Sequence, residues 1–340
     1  MTKNNKFYSL LFSLFLAIGL LTACGSTDHT KQKVGTSLEK GLSTNDSEAV
    51  NPVKDNLREE NSYPFTFKDA TDVEITIKKK PERIVSLLPS NTEITFALGL
   101  GDEVVGVNDY DTYPKEVEGK EKVGGQEFNV EKVLSLKPDL VLADSTMIGV
   151  AGGRFNQLRD AGITVVLIPA SDSFAEVYDT IRLIAQVTGT KEKGEAIIDQ
   201  MKTKVHEIVA KVSQVKEEQQ PLVWVEIDPT LWTAGKGTFM NEMIELLHAR
   251  NAAGIQDGWL QLTEEKVIPL NPEVIITTYG YYIDNPAEQV YSRTAWKDVT
   301  AVKKKQVYDV NSEIVNRPGP RLAEGLEEFA KAIYPEIFPK

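Results

Sequence analysis

The stretch Asn129–Asp144, "NVEKVLSLKPDLVLAD", is nearly rewritten at Thr263–Thr278 as "TEEKVIPLNPEVIITT", 134 positions later. The copies share Glu131/Glu265, Lys132/Lys266, Val133/Val267, Leu136/Leu270 and Pro138/Pro272. Each opens on a good helix N-cap type, Asn129 or Thr263. Each then runs as a short helix, breaks at Lys-Pro or Asn-Pro, and continues as an apolar strand. Both glutamates fall at the second helical position, exposed and near the positive helix end. A helix–break–strand unit written twice predicts two α/β lobes of similar design.

Around the first copy, "RIVSLL", "EVVGV", "DLVLAD" and "TVVLIP" read as strands separated by helices. That rhythm implies parallel pairing with helices on both faces. A hairpin, Tyr63 to Ile77, precedes it. Ser173 to Val215 then holds no strand. A first helix there carries Val177, Ile181, Ile184 and Ala185 and ends near Gly189. A second carries Ile197, Met201, Val205, Ile208 and Val212. At about 25 residues it spans about 37 Å, enough to cross between lobes. Strands resume at "PLVWVEI", "EVIITTY" and "QVYDV", and "GPRLAEGLEEFAKAIYP" closes as a helix. The expected fold is α/β, with two Rossmann-like lobes (residues 63–189 and 216–340) joined by a single long helix (190–215) and a cleft between them. Ligands of open α/β sheets bind beyond the carboxyl ends of the strands. "SNTE" predicts a capping box between Ser90 and Glu93, a structural role for that glutamate.

The 340 residues carry 38 Lys+Arg against 50 Asp+Glu, a net −12. Such acidity disfavours nucleic acid as a partner. No G-x-S-x-G elbow is present, and "TAGKGT" lacks the first glycine and the hydroxyl residue of a phosphate loop. The three histidines, His29, His206 and His248, show no metal-ligand spacing. No metal site, no cofactor and no catalytic residue is expected, and the chain reads as a non-enzyme. The single cysteine, Cys24, rules out a disulfide framework. Lys3 and Lys6 form a positive n-region, and Phe7 to Leu20 has the length of a signal h-region. "LTAC", Leu21 to Cys24, resembles the bacterial lipobox, which implies removal of residues 1–23 and lipid on the Cys24 thiol. A chain beginning at Cys24 loses two lysines and no acid and carries −14. Residues 24–62 are polar and aperiodic, as a flexible tether between membrane and body would be.

"RIVSLLPSNTEITFALGLGDEVVGV", "KVGG…NVEKVLSLKPDLVLA", "TAGKGTFMNEMIELL" and "NRPGPRLAEGLEEFAKAIYP" together resemble the substrate-binding lipoproteins of ABC importers for ferric siderophores, haem and cobalamin. The resemblance runs from Ile77 to Pro335, with the cobalamin-binding members the most similar. It implies two lobes that move little on binding. It also implies a monomer, held at the outer face of the membrane by its lipid, that delivers a metal chelate to a permease dimer driven by ATPase subunits. In that family a glutamate of each lobe docks on permease arginines, and those positions fall on Glu131 and Glu265.

The resemblance also implies the cleft wall. Tyr110 matches a tyrosine that contacts the corrin, and Trp259 a ligand-contacting tryptophan. Trp232 aligns with a phenylalanine near the pocket, and Glu313 falls where relatives carry a ligand-contacting aspartate. Tyr281 and Tyr282 stand just past a strand end as further wall residues. Arg317, with its planar fork, could face an anionic siderophore. Trp224 and Trp296 read as core. One departure stands out: "VGGQEFN" carries Gln126 and Phe128 where the cobalamin binders have a tryptophan, so one wall is altered. A corrinoid is the expected ligand; a ferric siderophore or haem is the alternative.

Overall fold

The hairpin expected at the start is present: β1 (Phe65–Lys68) pairs antiparallel with β2 (Glu74–Ile77). The structure, a computed structural model, describes residues 63–339; the signal segment, Cys24 and the tether lie outside the described residues.

The first lobe follows the strand-and-helix rhythm. β3 (Ile84–Ser86), α1 (Pro89–Ala97), β4 (Val104–Val107), β5 (Glu121–Lys122), α2 (Val130–Ser135), β6 (Leu140–Asp144), α3 (Ile148–Asp160) and β7 (Thr164–Ile168) follow in order. The strands form a parallel sheet of order β5-β4-β3-β6-β7. α4 (Phe174–Thr188) ends where Gly189 turns left-handed at φ 72°, a conformation that costs glycine least. α5 (Lys191–Val212) is the long helix, 22 residues and about 33 Å.

The second lobe contains β8 (Leu222–Glu226), β9 (Trp232–Ala234), α6 (Phe239–Leu246), β10 (Arg250–Asn251), β11 (Trp259–Gln261) and α7 (Glu264–Val267). β12 (Val274–Thr277), α8 (Pro286–Ser292), α9 (Thr300–Lys303), β13 (Val307–Asp309), α10 (Ser312–Val315) and α11 (Leu322–Ile333) complete it. Its parallel sheet has the order β10-β8-β12-β13, and β9 and β11 form a separate antiparallel ribbon.

The duplicated unit plays the same part in each lobe. β6 and β12 are buried along their whole length, as parallel strands covered on both faces must be. Alternation then splits the strand between two cores. Leu140, Leu142, Val274 and Ile276 point into one central cluster that runs through both lobes. Val141 packs into an outer cluster with Val133, and Ile275 into a second outer cluster with Val267.

The central cluster joins α1, α4 and α5 to α6 and α11, so the lobes share a core in addition to the expected linking helix. Ile198, not Ile197, is the buried residue of α5 in that region, and Gly194 replaces an apolar side chain where α5 crosses α4. One expectation is corrected: "SNTE" forms no capping box. Pro89 is the first helical residue and Leu88 the cap, so Ser90 already lies inside the helix and no side chain caps it. Glu93 is buried and turned toward the other lobe instead.

Candidate functional site

In both parallel sheets the carboxyl ends of the strands open into loops that carry exposed tyrosines. After β4, Asn108 donates from Nδ2 to the Leu87 carbonyl (2.8 Å) and accepts from the Tyr110 N–H at Oδ1 (2.9 Å). Asp111 Oδ2 accepts from the Thr92 hydroxyl (2.7 Å) and the Asn108 N–H (3.1 Å). Lys122 donates to the Asp111 carbonyl (2.6 Å). These bonds pin the loop from beneath and leave the Tyr110 ring 72% exposed. The ring lies over Gly125, where a Cβ would sit 3.1 Å from Cε2. Tyr113, also exposed, lies over the Arg321 guanidinium at 3.7 Å.

The β9–β11 ribbon supplies the tryptophans. Its register places Trp232 opposite Gln261 and Trp259 opposite Ala234. With a side-chain period of two, Trp232 and Trp259 are diagonal neighbours on one face. They are 40% and 41% exposed, and the Trp259 ring rests 5.3 Å from Phe239. After β12, Tyr281 and Tyr282 meet edge to face at 4.6 Å, both exposed. Burial raises the Tyr282 phenol above its ordinary range, with Asp228 adding to it.

A buried cluster supports that tyrosine pair. Glu226, at the end of β8, accepts from the Tyr279 hydroxyl (2.6 Å), from both Arg293 amino groups (2.8 and 2.5 Å) and from Trp224 Nε1 (3.3 Å). Burial and then the Glu226 charge push the Tyr279 phenol far upward, so it stays a donor. Trp296 Nε1 donates to Glu264 (3.0 Å), beside Glu265. Trp224 and Trp296 are fully buried. Glu226 was foreshadowed in the sequence, since an acid ending the apolar run "LVWVE" needs a partner.

Across the cleft the lobes are tied by charge. Glu93 of α1 accepts from Arg317 Nη1 (3.0 Å), and from Arg321 Nε (2.9 Å) and Nη2 (2.7 Å). Arg317 Nη2 also donates to the Tyr110 carbonyl (3.2 Å) and to Thr112 (2.9 Å), whose hydroxyl reaches Glu313. The structure thus brings Tyr110, Glu313 and Arg317 together at one contact. Arg317 is not held out to solvent; both of its amino groups donate to protein acceptors. Phe128 turns inward and stacks on Phe155 at 5.4 Å, while Gln126 is exposed. Glu93, Arg321 and Tyr113 were missed because no local pattern ties partners 228 positions apart.

Glu131 and Glu265 are exposed at the second residues of α2 and α7. Asn129 caps its helix by accepting from the Lys132 N–H (2.9 Å), as expected. Thr263 does not cap; instead its bond to the Glu265 carboxylate holds that group below the usual range. Helices that lead into parallel strands start at the strands' carboxyl side, the side on which ligands of open α/β sheets bind.

Among the described residues no cluster of three or more His, Cys, Asp or Glu could hold a metal. Two concavities elsewhere have no aromatic lining: one of about 440 Å³ beside α5, with Lys204 and Glu327, and one of about 620 Å³ around Lys115–Lys120.

The model of the periplasmic binding protein family matches residues 84–314. The "Uncharacterized ABC transporter substrate-binding lipoprotein YvrC" of Bacillus subtilis (strain 168) is 48% identical over 278 residues, covering 81% of this chain and 87% of that one. A "Cobalamin-binding protein" of Halobacterium salinarum is 32% identical over 281 residues, 80% of this chain and 75% of that one. The crystal structure of a possible iron-binding (periplasmic solute-binding) protein from Staphylococcus epidermidis ATCC 12228 superposes with a TM-score of 0.68 at 36% identity, covering 75% of this chain and all of the other. The two α/β lobes around a cleft match the fold of that solved structure, and the chain belongs to the periplasmic binding protein family.

Proposed function

We propose that this protein is the lipid-anchored, extracytoplasmic solute receptor of an ABC importer, a non-catalytic component that captures a small metal-containing chelate. Residues 1–23 act as its signal, Cys24 takes the lipid, and 24–62 form the tether. A corrinoid is the ligand we favour. The observation that carries this choice is the pairing of exposed aromatic walls in both lobes with an arginine already committed to the protein. Tyr110, Trp232, Trp259, Tyr281 and Tyr282 offer broad apolar faces with polar tips, suited to a large ring system. Glu313 adds an acceptor for amide or hydroxyl groups. Similarity to a cobalamin-binding relative supports the same choice. The second reading, a ferric siderophore or haem, draws on the likeness to a possible iron-binding protein. Delivery follows when Glu131 and Glu265 seat the two lobes on the arginines of a two-fold permease, whose ATPase subunits drive release.

The test is a fluorescence titration with cyanocobalamin, cobinamide, haem, ferric citrate, and catecholate and hydroxamate ferric chelates. Trp232 and Trp259, half in solvent, report occupancy. Saturable quenching by the corrinoids is the expected result. Quenching by ferric chelates or haem alone would favour the second reading, and no response to any probe would discard the receptor assignment.

A further inference from the structure

The charge count at the contact between lobes points beyond fold and ligand class. Glu93 and Glu313 face Arg317 and Arg321, two charges of each sign. The Glu93 side chain is only 2% exposed, whereas Arg317 and Arg321 retain 17% and 14%. The carboxylate is thus sealed beneath two guanidiniums whose outer edges reach the cleft, between the Tyr110 loop and Glu313. Arg321 spends Nε and Nη2 on Glu93, a bidentate grip, while its planar face lies against Tyr113. Arg317 divides its fork between Glu93, Thr112 and the Tyr110 carbonyl.

We infer that Glu93 sets the charge selectivity of the cleft: by holding both arginines and, together with Glu313, balancing their charge, it denies polyanionic chelates the guanidinium pair they would otherwise bind. The inference rests on the cleft being a receptor for a metal chelate, but not on the chelate being a corrinoid. An anion entering here meets arginines whose charge is matched by Glu93 and Glu313 and whose Glu93-facing donors are already taken. Without the Glu93 charge the cluster becomes net positive, and Arg321 Nε and Nη2 and Arg317 Nη1 lose their charged acceptor in a partly desolvated site. There, an opposite charge at contact distance is worth several times its value in water. Glu93 is therefore a positioning residue, acting on ligand choice through Arg317 and Arg321.

The experiment compares wild type with Glu93→Gln, which keeps shape and removes charge. Each is titrated with ferric citrate and with cyanocobalamin at low and high salt, after circular dichroism confirms the fold. Affinity for ferric citrate should rise about tenfold or more in the variant, with the gain shrinking as salt screens it. Cyanocobalamin should show no such gain. A purely structural role would weaken both probes together. An equal change in both, or no gain for ferric citrate, would overturn the inference. If Glu93→Gln does not fold, Glu93→Asp takes its place. One methylene shorter, it keeps the charge but cannot span both guanidiniums, so it should show a smaller gain, and none at all would again count against the idea. A wild type blind to cyanocobalamin would remove the corrinoid reading while leaving the ferric citrate comparison to decide this one. Silence of both proteins toward both probes would count against both.

Discussion

Asp111 holds the loop under Tyr110 with one oxygen bonded twice and the other, Oδ1, buried without a donor. Burial pushes its carboxyl up to about 6, against the pull of Thr92, Lys122, Asn108 and Arg317. In the unfolded chain an aspartate ionises near 3.8. Below that value both states are protonated and the group is neutral in effect. As pH rises from about 4 to 6 the unfolded state loses its proton first, so stability falls across that window and is level above it. The expected loss is about 1–3 kcal/mol. Asp111→Asn should flatten this decline and be more stable than wild type at pH 7, as urea unfolding of both proteins between pH 3.5 and 7.5 would show. A steeper decline in the variant would contradict the assignment. Glu93 teaches a different lesson at this scale. Its sequence neighbourhood has the form of a capping box, yet Pro89 moves the helix start one residue ahead of Ser90 and frees Glu93 for partners far along the chain.

At the level of elements, the repeated unit keeps its helix start, its proline break and its strand, but its two caps differ. Asn129 accepts from the backbone, whereas Thr263 bonds to the carboxylate of Glu265, two residues on. Both arrangements leave Glu131 and Glu265 exposed, as the proposed docking on a permease requires. Glu131→Ala combined with Glu265→Ala should abolish uptake in reconstituted vesicles and leave ligand affinity unchanged; a loss of affinity would instead tie the pair to the pocket. The α4–α5 pair makes a sharper demand. A Cβ at Gly194 would lie 2.7 Å from the Ala185 Cβ, so the helices can approach only because that side chain is missing. Gly194→Val should cost about 1–3 kcal/mol through overpacking, despite glycine's poor helix propensity. The expected fall in Tm is about 2–8 °C for a body of this size.

For the whole molecule, one apolar core runs through both lobes, and the described residues form one compact unit. Polar ties add to it. The Phe174 N–H donates to Glu242 (2.7 Å), and Lys204 of α5 meets Glu327 of α11 (2.8 Å). The Glu93 clamp closes the contact at the cleft itself. A shared packed interior resists hinge opening, because parting the lobes would expose apolar surface at about 25 cal/mol for each Å². Arg321→Ala should lower stability by about 1.5–3 kcal/mol, since Glu93 loses two charge-assisted bonds but keeps Arg317. Shifts in the urea midpoint measure this. An unchanged midpoint would mean the clamp contributes nothing to the joining of the lobes.

The sequence by itself determined the two-lobed α/β design, the long helix and the strand ends on which the aromatic residues sit. Those follow from periods of 2.0 and 3.6 and from a duplicated segment, all of them local patterns carried by neighbouring residues. It also marked Trp224 and Trp296 as core and Tyr110, Tyr281 and Tyr282 as residues of loops past strand ends, whereas Trp232 and Trp259, expected in loops, lie on the strands of the β9–β11 ribbon. Only the tertiary structure decided where Arg317 spends its donors, that Arg321 and Glu93 meet, and that the lobes share one interior. Charges of opposite sign are scattered along the chain with no period that pairs them. Which of them meet is settled when the sheets and helices pack, because a buried carboxylate must then find a cation within reach or not be buried at all.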